Sequence, residues 1–76
     1  MSPKIGSRYK TTHEGITAVV ESVTDEHILT TTESTDPHCL FNGSEIGYRL
    51  ADGKMDGDEF GGDEFPHLVM PLVEVE

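Results

Sequence analysis

The chain is 76 residues long and carries 15 acidic side chains against 5 basic ones, a formal charge of −10. That length allows one domain and leaves no room for a large enzyme scaffold. A polyanion at neutral pH is repelled by DNA phosphate and by anionic lipid, which argues against direct nucleic-acid or membrane-surface binding.

Ile, Leu, Val and Phe supply 18 of the 76 residues. That share lies just above the roughly 20% below which a highly charged chain stays disordered. The expectation is a folded domain with a small core and modest stability, in which a partner, an ion or a second copy would matter. Cys39 is the only cysteine, so no disulfide forms within the chain. No apolar stretch has the form of a secretion signal or approaches the roughly 20 residues of a membrane helix. A cytoplasmic protein is expected.

Helix is poorly supported. The chain has two Ala but eight Thr, six Val and four Ile, and β-branched side chains favour the pleated strand. In chain order, Ile5 and Tyr9 suggest a first strand over about 5–11. Residues 15–24 follow, led by Gly15 and mostly β-branched from Ile16 to Thr24. Thr24-Asp25-Glu26-His27 reads as a turn, and 27–33 as the returning strand of a hairpin. Asp36-Pro37 and Asn42-Gly43 mark the next connection. Residues 44–51 alternate cleanly, with Ile46, Tyr48 and Leu50 on one face and Glu45, Gly47 and Arg49 on the other. Asp52-Gly53 ends that strand. Residues 51–66 hold four Gly and six acids and read as an acidic loop. A last strand over 68–75 is interrupted by Pro71, which fits an edge or a bend. Five short strands at this spacing predict a single all-β domain over 1–76, a small barrel or a strongly bent antiparallel sheet.

The pattern resembles a Src-homology-3-type barrel, with Gly15-Ile16-Thr17-Ala18-Val19-Val20-Glu21-Ser22-Val23 similar to the Gly-led hairpin strand of such barrels. Gly6-Ser7-Arg8-Tyr9 is similar to the opening strand of short bacteriophage-encoded proteins. The resemblance implies a small barrel, in a bacterial host cell if the chain is phage-encoded; a fold of this kind does not by itself fix a function. The string Gly61-Gly62-Asp63-Glu64-Phe65 matches the signature of the GGDEF-domain diguanylate cyclases. That family has an α/β domain more than twice this length, and its chemistry needs phosphate-binding groups. Only Lys54 is basic between 50 and 76. The string is therefore read as half of a local repeat, Gly57-Asp58-Glu59-Phe60 and Gly62-Asp63-Glu64-Phe65.

Metal and catalytic readings fare poorly. An EF-hand frame from Asp52 puts Asp56, Gly57 and Asp58 well, but Lys54, Glu59 and Asp63 fall where other residue types are needed, and flanking helices are missing. His13, His27, His38 and His67 show no ligand spacing, and His38-Cys39 is one pair where zinc needs three or four ligands. Adjacent residues on an extended chain point apart, so His38 does not suit Cys39 as a base. Cys39 is expected to be a small buried apolar group beside Leu40 and Phe41. No cofactor, metal site or catalytic residue is expected, and the protein is not expected to be an enzyme.

Charge is unevenly placed. Residues 1–50 carry seven acids and four bases; residues 51–76 carry eight acids and one base. The expected function is binding to a basic surface on a partner protein, through Asp56, Asp58, Glu59, Asp63 and Glu64, with Phe60 or Phe65 as apolar anchor. A sharper form is a phosphate-mimicking inhibitor of a nucleic-acid-binding protein. The alternatives are a self-associating structural subunit whose charge keeps it soluble, and a weak divalent-cation binder.

Overall fold

The computed structural model describes residues 3–55 and 66–75. Five strands form, β1 (Arg8–Lys10), β2 (Ile16–Val23), β3 (His27–Ser34), β4 (Glu45–Arg49) and β5 (Glu74–Val75). They make one antiparallel sheet in the order β4-β3-β2-β1-β5. There is no helix among the described residues, and so none long and apolar enough to cross a membrane. The all-β class expected from the β-branched runs is the class observed.

The 15–33 hairpin forms where the β-branched runs place it. Its turn is closed by Thr24, whose N–H donates to the His27 carbonyl (2.8 Å) and whose Oγ1 accepts the His27 N–H (3.0 Å). The ladder slips once, between Val20↔Thr30 and Ser22↔Leu29, leaving Glu21 as an extra residue. The bulge changes the phase of the strand: Ile16, Ala18 and Val20 are buried, and Val23 is the next side chain to pack against the core.

Three strands are shorter than the alternation suggested. β1 begins only at Arg8, because Lys4 to Ser7 fold into a turn with the Ser7 N–H on the Lys4 carbonyl. β4 ends at Arg49, whose carbonyl accepts the Gly53 N–H (2.8 Å). Over 68–75 only Glu74–Val75 joins the ladder. Leu68 makes one isolated bridge to Thr11, and the chain then bends at a cis Met70–Pro71 bond.

Every second residue of the main strands faces one core of Tyr9, Ala18, Val20, Ile28, Ile46, Tyr48 and Leu68, with Ile16 also buried. Leu50 lies beyond β4 but still packs against it. Thr11, Thr30 and Thr32 are also buried, and each hydroxyl donates to a main-chain carbonyl: Ile16, Ile46 and Ser44, respectively. An orphaned hydroxyl there would cost about 1–3 kcal/mol. The sheet bends without closing. Backbone hydrogen bonds continue from β4 across the gap: Arg49 N–H to Lys54 O, Leu68 N–H to Gly53 O, and Thr12 N–H to His67 O.

Candidate interaction surface

The seven residues expected to meet a partner, Asp56, Asp58, Glu59, Phe60, Asp63, Glu64 and Phe65, lie outside the described residues. Both approaches to them are described, and both are held to the sheet.

On the incoming side the chain leaves β4 through a tight turn. The Asp52 carboxylate accepts the Lys54 N–H (3.0 Å) and the Arg49 guanidinium (3.1 and 3.3 Å). First the Lys54 amide and then the Arg49 side chain hold its pKa below the ordinary carboxylate value. Gly53 follows at φ +73°, a conformation that costs any residue with a Cβ. A Cβ there would also lie 2.8 Å from the Leu68 carbonyl oxygen and 2.6 Å from Met70 Cγ. That glycine lets the incoming and returning segments touch.

On the returning side, Pro66, His67 and Leu68 are all buried. The Tyr48 hydroxyl donates to the Pro66 carbonyl (2.8 Å), and burial raises the phenol's pKa well above its ordinary value. His67 Nδ1 accepts the Met55 N–H (3.0 Å), so that nitrogen carries no proton. The His67 N–H donates to Thr12 Oγ1 (3.1 Å), and its carbonyl accepts the Thr12 N–H (2.7 Å). Met55, the last described residue before the acidic stretch, and His67, the second described residue after it, are thus joined directly. The sequence showed no role for His67; its signal was only its place immediately after the stretch.

Acidity is not confined to that stretch. From Thr11 to Tyr48 there is no Lys or Arg and there are seven acids. These residues build β2, β3 and most of β4. Of the bases, Arg8 reaches Glu33 (3.2 Å) and Arg49 reaches Asp52, all four side chains being substantially exposed. The absence of bases between Thr11 and Tyr48 marks this second acidic region in the sequence itself.

The loop between β3 and β4 corrects one expectation. Cys39 is half-buried rather than buried, Leu40 is 90% exposed, and Phe41 alone packs toward the core, edge-on to His13. His38 and Cys39 sit in a turn closed by the Cys39 N–H on the Asp36 carbonyl, not on an extended chain. The loop turns inward only once, at Phe41, because small polar residues tie its backbone to itself: Asp36 Oδ1 accepts the His38 N–H, and Asn42 Oδ1 the Ser34 N–H. No group of three or more His, Cys, Asp or Glu among the described residues is arranged to hold a metal ion. No family model, curated protein or solved structure matches the chain.

Proposed function

We propose that this chain is a non-catalytic acidic interaction protein that binds a basic surface on a partner protein. The observation that carries this reading is the clasp formed by the described residues on either side of the acidic stretch. Six buried or backbone groups (Tyr48, Gly53, Met55, Pro66, His67 and Thr12) tie its two ends to the sheet. Tethered ends lower the ordering cost of presenting Asp56, Asp58, Glu59, Asp63 and Glu64 to a partner. Segment 51–76 has a net charge of −7, and complementary charge speeds encounter and selects the partner. Phe60 or Phe65 supplies the apolar anchor. The sharper reading is a mimic of nucleic-acid phosphate that occupies the basic site of a nucleic-acid-binding protein, in a bacterial cell. The barrel reading of the fold belongs to the same proposal, supported by five short antiparallel strands bent around one core.

The test is quantitative capture from a nuclease-treated bacterial lysate, followed by calorimetry with the purified partner. Neutralising all five carboxylates to Asn or Gln should abolish binding, and raising salt should weaken it progressively. Affinity unchanged by the fivefold substitution overturns the reading.

A further inference from the structure

We infer that the clasp is a proton-sensitive latch: a proton taken up by His67 releases Met55, so the acidic stretch loses one of its incoming anchors as the pH falls below neutral. This rests on the reading of the protein as an acidic interaction module and gives that module a regulator.

His67 is buried, and its Nδ1 accepts the Met55 N–H (3.0 Å). Only the neutral ring with its hydrogen on Nε2 has a lone pair at Nδ1; the cation carries hydrogen on both nitrogens. Protonation therefore sets one N–H against another, and the bond is lost. The backbone that carries the ring is pinned. The His67 N–H donates to Thr12 Oγ1 (3.1 Å), its carbonyl accepts the Thr12 N–H (2.7 Å), and the preceding Pro66 carbonyl accepts the Tyr48 hydroxyl (2.8 Å). The returning side thus stays on the sheet, and the incoming side gives way. Met55 is half-buried and meets β4 through an isolated bridge to Tyr48.

The segments packed against His67 bring other charged and titratable groups. Lys10, His13 and Glu14 flank Thr11 and Thr12; Lys10 and Glu14 are exposed, and His13 lies edge-on to Phe41. On the β4 side, the Tyr48 hydroxyl is on Pro66, Arg49 and Asp52 hold each other, and Lys54 is exposed. Between Met55 and Pro66 the sequence places Asp56, Asp58, Glu59, Asp63 and Glu64, opposite in charge to an imidazolium. Among these side-chain types only histidine ordinarily changes charge between about pH 5 and 8. The Met55–His67 bond is therefore complete where the ring is neutral, at the upper end of that window, and is lost as pH falls through it.

The test is made on the free full chain from about pH 7.5 to about pH 5. Imidazole nitrogen shifts follow the proton on His67 Nδ1, and hydrogen exchange, corrected for base catalysis, follows the protection of the Met55 amide. Nδ1 should be unprotonated at the upper end. As it takes up its proton, Met55 protection should fall about fivefold or more, the factor for leaving a part-buried donor unpaired. Thr32 of β3, whose N–H donates to the Ser44 carbonyl (2.8 Å), should keep its protection. His67→Asn retains an acceptor at the same remove from the main chain but has no basic nitrogen, so Met55 should stay protected throughout.

Met55 protection that holds while Nδ1 is protonated overturns the inference. So does an Nδ1 that already carries hydrogen at the upper end or never takes it up, or a folded His67→Asn variant that loses Met55 protection as the wild type does. The wild-type measurements decide alone if that variant does not fold. No partner is present, so these outcomes leave the acidic-module reading standing, and failure to capture a basic partner removes that reading alone.

Discussion

Single residues on either side of the acidic stretch, and the tyrosine that holds one of them, carry more of the structure than their chemistry announces. Gly53 combines a left-handed backbone with two contacts too close for any Cβ. Gly53→Ala should therefore destabilise the chain by about 2 kcal/mol or more, as strain and collision add, and a urea unfolding curve would measure it. Tyr48 is the complementary case, a large fully buried ring whose single polar atom has one carbonyl to meet. Tyr48→Phe should cost about 1–3 kcal/mol, because the Pro66 carbonyl loses its donor. Burial raises the phenol pKa, so the folded state holds that proton more tightly than the unfolded chain does. The contribution is complete below the ordinary phenol pKa of about 10 and fades as pH climbs toward the raised folded value. Unfolding curves at increasingly alkaline pH should show a loss of stability in the wild type that Tyr48→Phe lacks. The turn at Asp52-Gly53 was legible in the sequence, but the close approach of Leu68 and Met70 to Gly53 and the acceptor of the Tyr48 hydroxyl were not. Tyr48 was legible as inward-facing from its alternation with Ile46, but hydroxyl partners are set by contacts across the fold.

Among the elements, legibility followed locality. The β2–β3 hairpin could be read because its partners adjoin and its turn residues bond to one another. The 68–75 strand misled, because the apolar run Leu68-Val69-Met70 has strand composition without strand neighbours. Leu68 enters the core while the chain around it bends. That short segment does its work as one side of the clasp. His67→Ala removes the acceptor of the Met55 N–H, and its expected cost is about 1–3 kcal/mol. Faster hydrogen exchange at the Met55 amide, with β2 and β3 amides less affected, would locate the loss in the clasp rather than in the sheet. Of the partner-binding residues, the sequence revealed the charge and the position on the chain. It could not reveal that the flanking residues meet, since Met55 and His67 look unrelated until the fold joins them.

For the molecule as a whole, the negative charge gathers in two regions, the base-free 11–48 stretch and the acidic end, each with a net of −7, and Lys4, Arg8, Lys10 and Arg49 bring the total to −10. Like charges held in a compact state repel, so moderate salt should raise the thermal midpoint of the free protein. It should also weaken the partner complex. Thermal melts and binding titrations across the same salt series would show the two opposed slopes. The sheet order has a further consequence, for assembly rather than binding. The pairs β1–β2, β2–β3 and β3–β4 join segments close along the chain, whereas β5 returns to β1 from more than sixty residues away through only the two partners Arg8↔Val75 and Tyr9↔Glu74. Closing so long a loop is entropically costly for so few contacts. The four-stranded meander β1–β4 is thus built from local pairings, and β5 is expected to be the last strand to dock and the first to leave.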